Sequence, residues 1–103
     1  MTKYISDFEA DKLARLTDES YRSKYETEEK RRILAYLGGF KPCWFTTAPV
    51  EDPFTGEEVR KTDFGYSDGE YEWFECEIYC LEKYDLALTE EFREYVKRKT
   101  ETK

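Results

Sequence analysis

Hydrophobic positions follow a helical period at both ends of the chain and an alternating one in the middle. Ser6-Asp7-Phe8-Glu9 reads as a capping box, followed by a short apolar face of Phe8, Leu13 and Leu16. Thr17 to Thr27 is charged, with Tyr21 and Tyr25 one helical turn apart, and fits either a connecting helix or a loop. From Glu28 the pattern is clearer. Ile33, Leu34 and Leu37 share one face behind Lys30-Arg31-Arg32, and Gly38-Gly39 predicts a left-handed stop.

After Phe40 the period changes. Cys43 to Thr47 has strand composition, and Asp52-Pro53-Phe54-Thr55-Gly56 carries proline and glycine where a turn needs them. Val59 to Tyr66 is expected to return as a second strand. Ser67-Asp68-Gly69-Glu70 holds the Asp-Gly pair of tight hairpins, and Tyr71 to Phe74 follows as a third strand. Ile78 and Leu81, with Tyr79 or Cys80 beside them, form the stripe of a helix that fails near Asp85. Leu86 and Leu88 lie in an alternating linker. Thr89 then caps a helix with Glu90 and Glu91 in its first turn and Phe92, Tyr95 and Val96 on its inner face. The expected fold is α+β: a three-stranded antiparallel β-meander (about 42–74) packed against helices at about 6–38 and about 76–99, in a two-layer single domain.

Composition adjusts this picture. A chain of 103 residues has room for one domain. Leu, Ile, Val and Phe are scarce, but 18 aromatic residues, 9 of them tyrosine, supply core mass in their place. Fraying is expected after Lys97. The chain has no histidine, which excludes Ser-His and Cys-His triads and His-ligated metal. Cys43, Cys76 and Cys80 form no Cys-x-x-Cys and read as reduced, mostly buried thiols. The N-terminus lacks an apolar signal region, and the longest uncharged run, Pro42 to Val50, is too short to span a bilayer. A cytoplasmic protein is expected, bacterial or, if phage-encoded, in the host cytoplasm.

The run from Tyr66 to Val96 resembles a pattern found in small, mostly uncharacterised bacterial and phage-borne proteins. The matching features are the Asp68-Gly69 turn, Trp73 at a strand end, a helix ending Glu82-Lys83-Tyr84, then Leu86, Leu88, Glu91-Phe92 and Tyr95-Val96. The resemblance covers about a third of the chain. It implies a strand–turn–helix–helix unit and a bacterial or phage origin, and it carries no catalytic residues across.

Gly38-Gly39 follows a helix, whereas a phosphate-binding loop precedes one, so no nucleotide site is expected. Lys30-Arg31-Arg32 and Lys97-Arg98-Lys99 sit beside glutamates and read as ordinary charged helix faces, without direct nucleic-acid contact. Acidity is the distinctive feature. The net charge is −7, and residues 41–85 hold 12 acids against 4 bases, while the flanking regions are nearly neutral. The candidate partner-binding face is Asp63, Asp68, Glu70, Tyr71, Glu72, Trp73, Glu75 and Glu77. Exposed acids steer association and exposed aromatics supply contact area, although acidity also serves solubility alone. The expected function is a non-catalytic module that docks on a basic, nucleic-acid-handling protein, as an anti-defence or immunity-like inhibitor does. No cofactor, metal or membrane is implied. Two alternatives stay open: a small hydrolase using Glu70 and Glu72 as paired carboxylates, and a self-associating homodimer.

Overall fold

The computed structural model describes residues 3–6 and 21–101. Among them the α+β expectation holds. In chain order the elements are β1 (Lys3–Tyr4), α1 (Thr27–Leu37), β2 (Trp44–Thr46), β3 (Val50–Glu51), β4 (Glu58–Arg60), β5 (Asp63–Ser67), β6 (Tyr71–Phe74), α2 (Glu75–Tyr84) and α3 (Glu90–Glu101). The expected Phe8–Leu16 face and Glu9, the far half of the capping box, lie outside the described residues. Ser6 itself bridges to Leu88 and donates its hydroxyl to Glu77. Residues 22–26 are irregular chain apart from an Arg22–Leu86 bridge, which favours the loop reading for them, while residues 17–20 lie outside the described residues.

The three-stranded meander is not what forms. Residues 59–66 do not make one strand. A straight strand there would place Val59, Lys61, Asp63 and Gly65 on one face and Arg60, Thr62, Phe64 and Tyr66 on the other. Neither row is apolar enough to hold the chain straight. The chain bends at Lys61-Thr62. β4 folds back on β3 as a separate two-stranded ribbon, while β5 pairs antiparallel with both β2 and β6. In addition, β1 pairs in parallel with β6, giving a four-stranded mixed sheet ordered β1-β6-β5-β2. A two-residue strand shows no alternation, and its partner lies far along the chain, so periodicity cannot reveal it.

Tyr71 and Trp73 of β6 point into the core, and Glu72 and Phe74 are half-buried. Trp73 is fully buried among Tyr36, Phe40, Tyr66 and Phe92, with ring centroids 5.5–6.5 Å away. Among the described residues its indole N–H has no hydrogen-bond partner. Ile33 and Leu37 from α1 and Phe92 and Val96 from α3 complete this side. A bidentate Arg93–Glu29 pair, at 2.7 and 2.8 Å, fixes α3 to α1, and the guanidinium stacks on Tyr25.

The helix ends differ from expectation in two places. Gly38 caps α1 with φ −80°, a right-handed stop in which its N–H donates to Leu34 O, so the left-handed cap is corrected. α3 continues through Lys97 to Glu101, where fraying was expected, and Thr100 Oγ1 donates back to Val96 O at 2.8 Å. Thr89 caps α3 as expected, accepting from Phe92 N at 3.2 Å. α2 stops at Asp85, whose φ of 57° is left-handed, and Lys30 Nζ reaches Asp85 at 2.6 Å and Glu82 O at 3.0 Å.

Gly65 is required by what lies over it. Trp44 and Phe74 flank it in register, and the Trp44 indole crosses the strand to meet Phe74 edge-on at 6.0 Å. A Cβ on residue 65 would sit 1.9 Å from Trp44 Nε1. Gly65→Ala is therefore expected to destabilise the fold by about 1–3 kcal/mol, as overpacking does. Adding Trp44→Ala should recover part of that loss in urea unfolding, and strictly additive losses would contradict the contact.

Candidate functional site

The eight residues expected to form one docking face do not do so. Tyr71 and Trp73 are core residues, 2% and 0% exposed, and Asp63 and Glu77 are buried at the start of α2. Asp68 is half-buried and Glu72 and Glu75 are half-exposed, leaving Glu70 as the one exposed member. Glu70 lies in the turn before β6, not on the strand beside Glu72, and pairs with Lys3 at 3.5 Å. Alternation places strand side chains on one face or the other, but which face turns inward depends on the partners that cover it.

Asp68 shows why the acids went inside. Its Oδ1 accepts the backbone N–H groups of Glu70 and Tyr71, at 2.9 and 2.7 Å. Its Oδ2 accepts the hydroxyls of Tyr36 from α1 and Tyr95 from α3, at 2.6 and 2.8 Å. Asp52, 2% exposed, repeats the arrangement. Its Oδ1 accepts Phe54 N and Thr55 N at 2.8 and 3.0 Å, and its Oδ2 accepts Tyr79 and Tyr84 hydroxyls, both at 2.6 Å. Burial opposes the charge on each, but the four donors outweigh it and hold both carboxyls below the usual carboxylate range. The bond to Asp52 in turn pushes the Tyr84 hydroxyl up to about 12. A carboxylate offers about four lone-pair sites, and here four donors occupy them, with Lys83 Nζ also pairing with Asp52 Oδ2 at 3.5 Å, so both aspartates are committed to internal partners.

The start of α2 is a third buried acidic cluster. Asp63 Oδ1 accepts Cys76 N at 3.2 Å, and Glu77 accepts Phe74 N at 3.0 Å and Ser6 Oγ at 2.8 Å. These acids satisfy helix-terminal donors that would otherwise be orphaned. Glu77 has fewer donors than the aspartates, and burial dominates, raising its carboxyl to about 7. All three cysteines are free. Burial pushes the Cys80 thiol up to about 12 and that of Cys76 higher, whereas Cys43 is exposed, so two of the three are buried.

With these acids internal, the exposed acids include, alongside others on the helices, a close group of three on the β3–β4 hairpin. Its turn, Asp52 to Glu57, is set by the Asp52 bonds, by Gly56 at φ 75°, and by Asp52 N to Glu57 O at 2.8 Å. A register shift skips Val59, so Glu58 rather than Val59 lies opposite Glu51. Glu51, Glu57 and Glu58 are exposed, and among the described residues none has an ion-pair partner. Phe54 at the tip is 42% exposed, with its ring against Tyr84 at 4.5 Å and Tyr21 at 5.4 Å. The sequence reading did not single out this hairpin, though Asp-Pro-Phe-Thr-Gly-Glu-Glu already marks an acidic turn with an aromatic tip.

Comparisons with protein-family models, with curated proteins and with solved structures found no match for this chain. Among the described residues, no helix is long and apolar enough to cross a membrane, and no group of three or more His, Cys, Asp or Glu is placed to hold a metal ion.

Two stability tests follow. Because the folded pKa of Asp52 is depressed, its contribution is present above about pH 4 and is lost as pH falls below it. Asp52→Ala should cost about 2–4 kcal/mol at pH 7, with urea curves of mutant and wild type drawing together in acid. Glu77 has the opposite sign. Its native carboxyl keeps the proton up to about pH 7 while the unfolded chain releases it near 4.5, so stability falls as pH rises across that window. Glu77→Gln should remove most of that slope, on the order of 3 kcal/mol. An unchanged slope would reassign it to other groups.

Proposed function

We propose that this protein is a small, non-catalytic protein-binding module that docks its acidic β3–β4 hairpin on a basic surface of a partner. The observation that carries this reading is the pairing of Glu51 with Glu58 across the hairpin, both exposed and, among the described residues, without an ion-pair partner. Like charges placed directly opposite in a two-stranded ribbon cost stability, typically about 0.2–1 kcal/mol. The hairpin bears that cost because Asp52 and its tyrosines anchor it to α2. A lysine or arginine from a partner would remove the repulsion, so the penalty becomes binding energy on docking. Phe54 adds apolar contact at the tip, next to Glu57 and Glu58.

Rigid, closely spaced carboxylates presented this way compete for the same cationic grooves that hold a nucleic-acid backbone. An inhibitor of a nucleic-acid-handling protein, of the anti-defence or immunity type, is the role that suits this surface. The acidic docking expected from the sequence is retained, but moved from β6 and α2 to the hairpin before them.

The test separates binding from stability. Isotope-labelled protein is titrated with an arginine- and lysine-rich peptide and followed by NMR. The expected shifts concentrate in residues 50–60 and fade as salt rises from about 0.05 to 0.5 M. Glu58→Lys should raise stability by about 0.3–1 kcal/mol while weakening peptide binding severalfold. Shifts spread evenly over all exposed acids, or binding unaffected by Glu58→Lys, would overturn the reading.

A further inference from the structure

A second surface lies at the opposite edge of the larger sheet from β1. Among the described residues β2 is the terminal strand, paired with β5 on one side only, so no described strand covers its outer edge. Its middle residue, Phe45, is 68% exposed, and its register partner Phe64 is 37% exposed. Cross-strand partners place their side chains side by side on one face, so the two rings form a continuous apolar strip. Natural edge strands are usually blunted by charge or proline, but Trp44-Phe45-Thr46 contains neither.

We propose that two copies of this chain associate edge to edge through β2, antiparallel about a two-fold axis at Phe45, joining two four-stranded sheets into one. Charge selects the occupant. Two molecules that each carry −7 repel over most orientations, and residues 42–50 are the longest stretch without a charge of either sign. A basic partner gains nothing at that edge, whereas an identical uncharged strand meets no like charge there. The geometry is also self-complementary. With Phe45 opposite its own copy, Phe64, Phe45 and their two mates line up as four adjacent rings, as an isologous contact requires. Residues 43 and 47, which flank β2 and are both exposed, then lie opposite each other across the axis. Three paired residues and two phenylalanines per copy fall short of the roughly 1,200 Å² of a stable interface, so the dimer depends on concentration.

This inference does not depend on the hairpin reading, and salt tells the two apart. Docking on a basic partner weakens as salt rises, whereas self-association of like-charged copies strengthens as their repulsion is screened. The experiment is sedimentation equilibrium of the full chain over a wide concentration range at low and high salt. The mass should rise from 12.4 kDa toward twice that value, and more readily at high salt. Phe45→Glu should weaken association by at least about tenfold while leaving the melting temperature unchanged, since the ring lies outside the core. A second variant reads the register directly. Thr47→Cys, oxidised with glutathione disulfide, should yield a covalent dimer through Cys43 of the other copy. Within one extended strand these two positions are too far apart to bond to each other. A monomer at every concentration, a dimer that persists in Phe45→Glu, or the failure of Thr47→Cys to cross-link would each overturn the proposal.

Discussion

A carboxylate taken out of water must find donors for its lone pairs or give up its charge. Asp52 and Asp68 meet that demand in the same way. Each begins a turn, so that the backbone N–H groups two and three residues on fall onto one oxygen, and each accepts two tyrosine hydroxyls on the other. The consequences are tertiary. Asp68 draws α1, α3 and the β5–β6 turn to a single point, and Asp52 fastens the β3–β4 ribbon to α2. Tyrosine is suited to this role because its ring can pack in the core while its hydroxyl reaches a buried anion. Tyr36 illustrates it, meeting Phe40, Trp73, Phe92 and Tyr95 with its ring and Asp68 with its oxygen. A chain short of aliphatic residues thus obtains both a core and its cross-links from one residue type.

The same device explains what could be read in the sequence. Local signals were legible: the Asp-Gly turn with Gly69 at φ 99°, the positive φ of Gly56, the Thr89 cap and the inner face of Phe92, Tyr95 and Val96. Each of these is decided within a few residues. The sheet was only partly legible, because β1 shows no periodicity and because neither face of 59–66 is apolar. The acidic site was the least legible. Whether Asp68 is a surface charge or an internal cross-link depends on Tyr36 and Tyr95, distant in sequence, and alternation carries no information about them. Turn chemistry offered a usable hint, since both saturated aspartates occupy the first position of a turn, where one oxygen is already committed to backbone donors.

Acid count and acid placement therefore have to be separated. The central region's excess of acids is a property of composition, but Asp52, Asp63, Asp68 and Glu77 serve internal donors. Saturation also constrains chemistry. A general base or metal ligand needs a free lone pair directed at open space, and the two aspartates with the most donors are committed to internal partners. Among the acids that do reach solvent is the hairpin trio of Glu51, Glu57 and Glu58, and on the far edge of the other sheet lies a strip without charge.

These two surfaces differ in what water and salt do to them. At the hairpin, repulsion between Glu51 and Glu58 is present in the free protein and would be relieved by an added cation, so docking as proposed would be largely electrostatic and screened by salt. At β2 the available gain is apolar area and backbone hydrogen bonds, while the charge of the whole molecule opposes it, so screening favours the contact. Because β3 follows β2 after three residues, the two surfaces are joined through a short segment whose position Asp63 N fixes by donating to Ala48 O at 3.1 Å. A copy seated on β2 would then hold a second hairpin at a set distance from the first. If both hairpins meet one basic partner, the second engagement is intramolecular, and the avidity this produces requires no contact beyond those already described.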